Sequence, residues 1–259
     1  MLKKINAYFL FAGIDYKKGI SNVKNLKWFY KDKKKLTEQL LNNDEFPFGN
    51  LNPVLNDKFD AGGITFGHYF HQDLLIAQRI YQNSPLKHID IASRIDGFVA
   101  HIAAFREIEV FDIRPIVSTI TNITFTQIDI TKPDFTLLDY ADSISCLHAI
   151  EHFGLGRYND PIDAWGHING LNNIYKALKP GGKLYLSTPI GKQRIEFNAQ
   201  RVFNMSYLIR LFKDRYCIDS FSYVDDRGDL HREADLNEEK ISSNYGCFYG
   251  CGIFELTKL

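Results

Sequence analysis

The stretch "HIDIASRIDGFVAHIA", residues 88–103, decides how this chain is read. "KHIDIA" has the short apolar alternation of a strand, and "GFVAHIAAF" has the spacing of a helix packed on one face. A strand, a tight turn and a helix in that order open a doubly wound α/β domain, and ligands of such domains lie at the carboxyl ends of the strands. Glycines usually occupy that turn, because they allow positive φ and close backbone approach. Here Ala92, Arg94 and Asp96 stand at the expected glycine positions, and Gly97 follows one place later.

Outward from this stretch the grammar is consistent. After residue 85, "EIEVFDI", "NITFTQIDI", "ADSISCLHAI" and "GKLYLSTPI" read as strands, and "HINGLNNIYKAL" reads as a helix. That alternation requires a mostly parallel sheet covered on both faces. "MSYLIRLF" then predicts a helix, while "IDSFSYVDD" and "CGIFELTKL" predict two late strands. Before residue 85 the pattern differs. A Lys-rich helix over about residues 25–42, a turn-rich segment, and a helix from His71 to Asn83 are expected there. The division expected is an N-terminal extension and lid over residues 1–85, then an α/β domain over residues 86–259.

Composition narrows the function classes. The chain has 259 residues, of which 45% are hydrophobic and 24% charged, as in an ordinary folded protein. Lys plus Arg and Asp plus Glu are 31 each, a balance that speaks against nucleic acid as partner. Residues 1–40 carry ten lysines against Asp15, Asp32 and Glu38, a local net charge of +7, read first as a solvated helix face. "MLKKINAYFLFAGIDYKKG" imitates a secretory leader, but it lacks a small-residue cleavage site and is too short to span a bilayer. A cytoplasmic protein without stable membrane insertion is expected. Cys247 and Cys251 lack a second ligand pair, and His68 and His71 have no further ligands at helical spacing, so no metal is expected.

The strand ends carry the chemistry. Asp90 sits near the end of the first strand, followed by Ser93, Arg94 and Gly97. Asp112 closes the second, at an offset that suits a carboxylate accepting ribose hydroxyls. Asp129 closes the third, and "SCLHAIEHF" closes the fourth.

The ordered set "IDIASRIDG", "EVFDIRP", "TQIDI", "ISCLHAIEHF" and "ALKPGGKLYLSTP" resembles the class I S-adenosylmethionine-dependent methyltransferase superfamily over roughly residues 86–259. The resemblance implies a Rossmann-like seven-stranded, mostly parallel sheet with helices on both faces and an antiparallel last strand. It implies S-adenosylmethionine as cofactor. The similar branch, with "GHYFHQD" before strand one and "HAIEHFGLGRY" after strand four, implies a bacterial enzyme associated with surface-polysaccharide modification. Its departure is the first turn, where the superfamily has three glycines. S-adenosylmethionine carries no phosphate, so this loss counts more against a dinucleotide than against it.

Roles follow residue by residue. Cofactor binding is assigned to Asp90, Ser93, Arg94, Gly97, Asp112, Asp129 and His148, with Tyr69 and Gln72 from the preceding helix. Arg94 either pairs with the cofactor carboxylate or forms a structural ion pair with Asp96. His152, with Glu151 as orienting or alternative base, is the first choice to take the proton from a hydroxyl acceptor; otherwise both pack and cap the following helix. His71, Arg157 and Tyr158 are assigned to the acceptor, a small, phosphate-bearing or glycan-linked molecule. Two rival functions stand beside O-methylation: a silent binding module, and a nicotinamide-dependent sugar oxidoreductase that would require Gly-x-Gly-x-x-Gly.

Overall fold

The computed structural model describes residues 9–11, 13–41, 45–117 and 119–259. Of the leader-like opening, residues 1–8 and 12 lie outside the described residues. The chain forms two compact units, Met1–Ile64 and Thr65–Leu259. That split falls ahead of the helix that starts at His68.

In the first unit, helix α1 spans Tyr16–Gln39, longer at its start than the 25–42 expected. Asp15 caps it by accepting from the Lys18 N–H, and none of its residues is buried. Its lysines are thus a solvated face, apart from local ties such as the Lys34 to Glu38 ion pair.

The second unit is built on an eight-stranded sheet. Helix α2 (His68–Asn83) precedes β1 (His88–Ile91), and a five-residue turn of π type (Ile95–Val99) leads into the short α3 (Ala100–Ala103). Then come β2 (Ile108–Asp112), β3 (Ile123–Gln127), β4 (Ala141–Leu147), α4 (Gly166–Ala177) and β5 (Leu178–Ile190). A small hairpin, β6 (Arg194–Glu196) with β7 (Gln200–Val202), leads to α5 (Met205–Phe212) and β8 (Tyr216–Val224). The chain closes with β9 (Leu230–His231), α6 (Glu238–Ser242) and β10 (Gly250–Lys258).

The strand order is β3-β2-β1-β4-β5-β10-β8-β9. Strands β1 to β5 pair in parallel, and β10 runs antiparallel between β5 and β8. This is the expected Rossmann-like sheet, with the two-residue β9 as an eighth strand returning beside β8. Side chains alternate between two cores, as a sheet covered on both faces demands. Leu184 and Leu186 join Ile89, Ile144, Ile174 of α4 and Leu208 of α5 on one face. Tyr185 joins Ile76 and Ile80 of α2, Ile102 of α3 and Ile253 on the other. Each such side chain, fully buried, contributes about 1.5–3 kcal/mol by removing apolar surface from water.

Two local departures matter. The continuous helix expected after strand one is interrupted, because Gly97 takes a non-helical conformation inside the π-type turn. A Cβ at Gly97 would lie 3.3 Å from the Asp73 carboxylate, a tight approach to α2 that a larger side chain could meet only if Asp73 gave way. The helix before β5 ends at Ala177, ahead of Pro180, and Leu178 already bridges to Ala141 before a register shift.

Candidate active site

The turn after β1 keeps the backbone shape that glycine would give. Ala92 has φ +63°, a left-handed conformation that costs an L-residue about 1–2 kcal/mol. Asp90 fixes it from beneath. Its carboxylate is fully buried and accepts from the Ser93 N–H at 2.9 Å, the Ser93 hydroxyl at 2.9 Å and the Ser145 hydroxyl at 2.5 Å. Burial pushes its pKa up to about 6, with those three donors opposing. His88 extends the network to Ser143 and Ser145, and burial pushes its pKa down to about 3. Asp90 therefore shapes the turn rather than facing a ligand.

At the carboxyl ends of β1, β2 and β4, and beside the segment after β3, lies a cavity of about 330 Å³. That is the low end of the range for small-molecule sites. Phe111, Ile113, Ile128 and Ile130 give it apolar walls. Of the residues assigned from sequence, Ser93, Arg94, Asp112, Asp129, His148, Tyr69, His152 and Tyr158 all line it. Asp90, Gly97, Gln72, Glu151, His71 and Arg157 do not. Gln72 is buried and accepts from the Ser187 hydroxyl at 2.6 Å, while its amide donates to Asp73 at 3.1 Å. His71 packs edge-on against Phe70, and Arg157 is exposed and donates to the Ala199 carbonyl.

The charged groups of the cavity are held by neighbours. Asp112 is buried and accepts three bonds from Arg114: backbone N–H at 2.8 Å, Nε at 3.0 Å and a terminal nitrogen at 2.5 Å. A carboxylate has about four acceptor positions, so about one remains for a ligand unless Arg114 moves. The Arg114 guanidinium in turn stacks on Tyr158 at 4.5 Å. Arg114 escaped the sequence reading, although its place two residues after Asp112 in "EVFDIRP" was the available signal. Arg94 makes a bidentate pair with Asp96, at 2.9 and 2.7 Å, and both side chains are largely exposed. Asp129 accepts from the N–H and hydroxyl of Thr131, which fixes the segment after β3.

The fourth strand delivers the histidines. His148, at φ +51°, follows β4 directly, so two neighbouring strands end in left-handed residues at the cavity. Glu151 is fully buried, and the Nδ1–H of His148 donates to it at 2.6 Å. Burial opposes charge on His148, but Cys251 and Glu151 outweigh it and hold its pKa well above the ordinary range. The expected pairing of Glu151 with His152 is thus corrected. His152 Nε2 is 3.9 Å from that carboxylate, and its Nδ1–H instead donates to the Ala199 carbonyl at 2.7 Å. Burial lowers the His152 pKa, so its ring is neutral at pH 7 with Nε2 free to accept a proton.

The loop that carries His152 is pinned by Asp160, which escaped the sequence reading in "GRYND" and accepts from the N–H groups of Gly154, Gly156 and Tyr158. Gly154 has φ +77°, and a Cβ there would lie 2.1 Å from the Asp163 carbonyl oxygen. Only glycine fits that approach.

The chain is similar in structure to the N-methyltransferase NodS from Bradyrhizobium japonicum WM9 in complex with S-adenosyl-L-homocysteine, at 14% identity and TM-score 0.48, covering 86% of this chain and 97% of that one. It is similar to a proposed sarcosine dimethylglycine methyltransferase from Galdieria sulphuraria, at 12% identity and TM-score 0.50, covering 72% and 85%. A third similar structure is the Burkholderia thailandensis 1,6-didemethyltoxoflavin-N1-methyltransferase, at 12% identity and TM-score 0.49, covering 72% and 78%. The Galdieria sulphuraria structure shares its fold with this chain, a Rossmann-like, mostly parallel sheet. No curated protein matches the chain in sequence. A family model matches residues 99–247, which is more than half of the chain, and the chain belongs to that family, described as "Caenorhabditis protein of unknown function, DUF268".

Proposed function

We propose that the protein is a cytoplasmic S-adenosylmethionine-dependent methyltransferase that methylates an oxygen of a small, phosphate-bearing or carbohydrate-linked acceptor, as in surface-polysaccharide biosynthesis. The observation that carries this reading is one cavity with Asp112 at the end of β2 and a neutral His152 after β4, its Nε2 free.

The donor set suits the cofactor. Asp112 can accept a ribose hydroxyl, the isoleucines and Phe111 can flank an adenine, and Arg94, freed from Asp96, can pair with an amino-acid carboxylate. When bound, S-adenosylmethionine supplies an electrophilic methyl group on a sulfonium. His152 takes the acceptor hydroxyl proton on Nε2, while its Nδ1–H stays on the Ala199 carbonyl and keeps the ring oriented. The imidazolium so formed lies 3.9 Å from the Glu151 carboxylate, which favours it. Tyr158 packs edge-on to His152 and, with Tyr69, offers the ring faces and hydroxyls suited to a sugar.

A silent binding module is the second reading, favoured by the internal ion pairs of Asp112 with Arg114 and of Arg94 with Asp96. Incubating the protein with S-adenosylmethionine and a panel of sugar phosphates and nucleotide sugars separates the two. The proposal expects acceptor-dependent formation of S-adenosylhomocysteine together with an O-methylated product. Binding of the cofactor without turnover anywhere in a broad panel would favour the silent module.

A further inference from the structure

Three residues far apart in sequence meet beside the cavity wall. His68 lies on the first turn of α2, His148 follows β4, and Cys251 sits near the start of β10, paired with Pro189 at the end of β5. One ligand atom from each lies within 4.8 Å of the others. The sequence offered no such set, because no further ligand follows His68 and His71 along the helix; strand order supplies it instead.

A second observation points to a ligand there. The His148 side chain is only 4% exposed, and its buried Nε2 makes no hydrogen bond of ordinary geometry; besides Glu151, the Cys251 thiol is the group that supports charge on this ring. A buried ring nitrogen without such a bond calls for an explanation, and a bound ion supplies one. Its other nitrogen, Nδ1, is held by the buried Glu151 carboxylate at 2.6 Å. A carboxylate on the far nitrogen is the arrangement that orients metal-bound histidines, fixing the tautomer and raising ligand basicity. His148 is flanked by the ring of His68, stacked at 5.2 Å, and by Tyr69 at 5.1 Å.

We infer that His68, His148 and Cys251 bind a divalent metal ion of the zinc class, with Glu151 as the positioning residue behind His148. One sulfur and two imidazoles are a borderline-soft donor set that suits zinc, with a fourth position left open. Tetrahedral coordination at about 2.0–2.3 Å from the metal sets ligand atoms about 3.5 Å apart, so the cluster closes by about 1 Å and the His68 ring turns out of its stack on His148 to aim a nitrogen at the ion. Such an ion fastens the start of α2 to the carboxyl edge of the sheet. The inference is independent of the methyl-transfer reading.

Cobalt titrated into chelator-treated, full-length protein tests this by absorption. The expected result is one equivalent bound, with a thiolate-to-cobalt charge-transfer band and visible ligand-field bands, both abolished by zinc. Cys251→Ser loses the charge-transfer band, whereas Cys217→Ser, at an exposed position on β8, keeps it. Glu151→Gln weakens binding about 10- to 100-fold. His68→Gln, at a half-buried position on the first turn of α2, retains the circular dichroism of the wild type and weakens binding at least about tenfold, which decides the matter if the cysteine variant does not fold. Substoichiometric binding by the wild type, a charge-transfer band surviving in Cys251→Ser, or unchanged affinity in His68→Gln would overturn the assignment.

Discussion

Glu151 Oε1 lies 2.6 Å from Nδ1 of His148 and 3.9 Å from Nε2 of His152, so one buried carboxylate faces two histidines and holds only the first. The two rings therefore have different work. His148 is fixed by a charged partner, and His152 is fixed by a backbone carbonyl that leaves its other nitrogen open.

His152→Ala is expected to lower turnover about 10²- to 10⁴-fold, the usual range for removing a positioned general base. Cofactor affinity, read by calorimetry, should change little. Equal losses in both quantities would make His152 a wall of the cavity and not its base.

Asp112→Asn removes the charge that faces the cavity from β2. Affinity for S-adenosylhomocysteine should fall about ten- to hundredfold, as for loss of a hydrogen bond to a charged group. Arg114→Ala frees the same carboxylate and should not reproduce that loss. If the two variants weaken binding equally, Asp112 acts through Arg114 and does not meet the ligand. Because Asp112 is buried, removing Arg114 leaves its carboxylate short of two side-chain donors and should itself cost about 1–3 kcal/mol of stability.

Arg94→Ala distinguishes a surface ion pair from a ligand-binding cation. Both Arg94 and Asp96 are largely exposed, so the melting temperature should be unaffected. Affinity for the cofactor should drop about tenfold or more, as expected for a charged hydrogen bond. An unchanged affinity removes Arg94 from the site and leaves it paired with Asp96.

Asp73 gives a pH signature in stability. Burial raises its pKa to about 6, against the opposing Gln72 amide, His101 and His148. A carboxyl whose folded pKa is raised binds its proton more readily in the folded state, so its favourable contribution is present below about 3.8 and is lost as pH rises through about 6. Asp73→Asn keeps an acceptor for Gln72 and removes the buried charge. Urea denaturation should show the variant gaining on the wild type between pH 4.5 and 7.5 by about 2 kcal/mol. A difference that does not vary with pH would contradict this.

Much of the fold was legible because each strand and helix had a period of its own. "MSYLIRLF" and "CGIFELTKL" became α5 and β10 almost residue for residue, since nothing beyond local pattern and burial decides them. The helix after β1 was not legible as broken, because its break lies in the backbone conformation of Gly97, which no apolar period reveals. At the site, sequence order brought Asp112, Asp129, His148 and His152 to one cavity. Partner choice was beyond it. Whether Glu151 serves His148 or His152 is settled by loop geometry and the Ala199 carbonyl, and Cys251 reaches His148 only through the insertion of β10 beside β5.

The most direct test of the central claim is a calorimetric titration of the wild-type protein with S-adenosylmethionine, S-adenosylhomocysteine and reduced nicotinamide dinucleotide. Saturable single-site binding of the first two, with no heat from the third, is the predicted result. No binding of either sulfur ligand, or preferential binding of the nicotinamide, would contradict it.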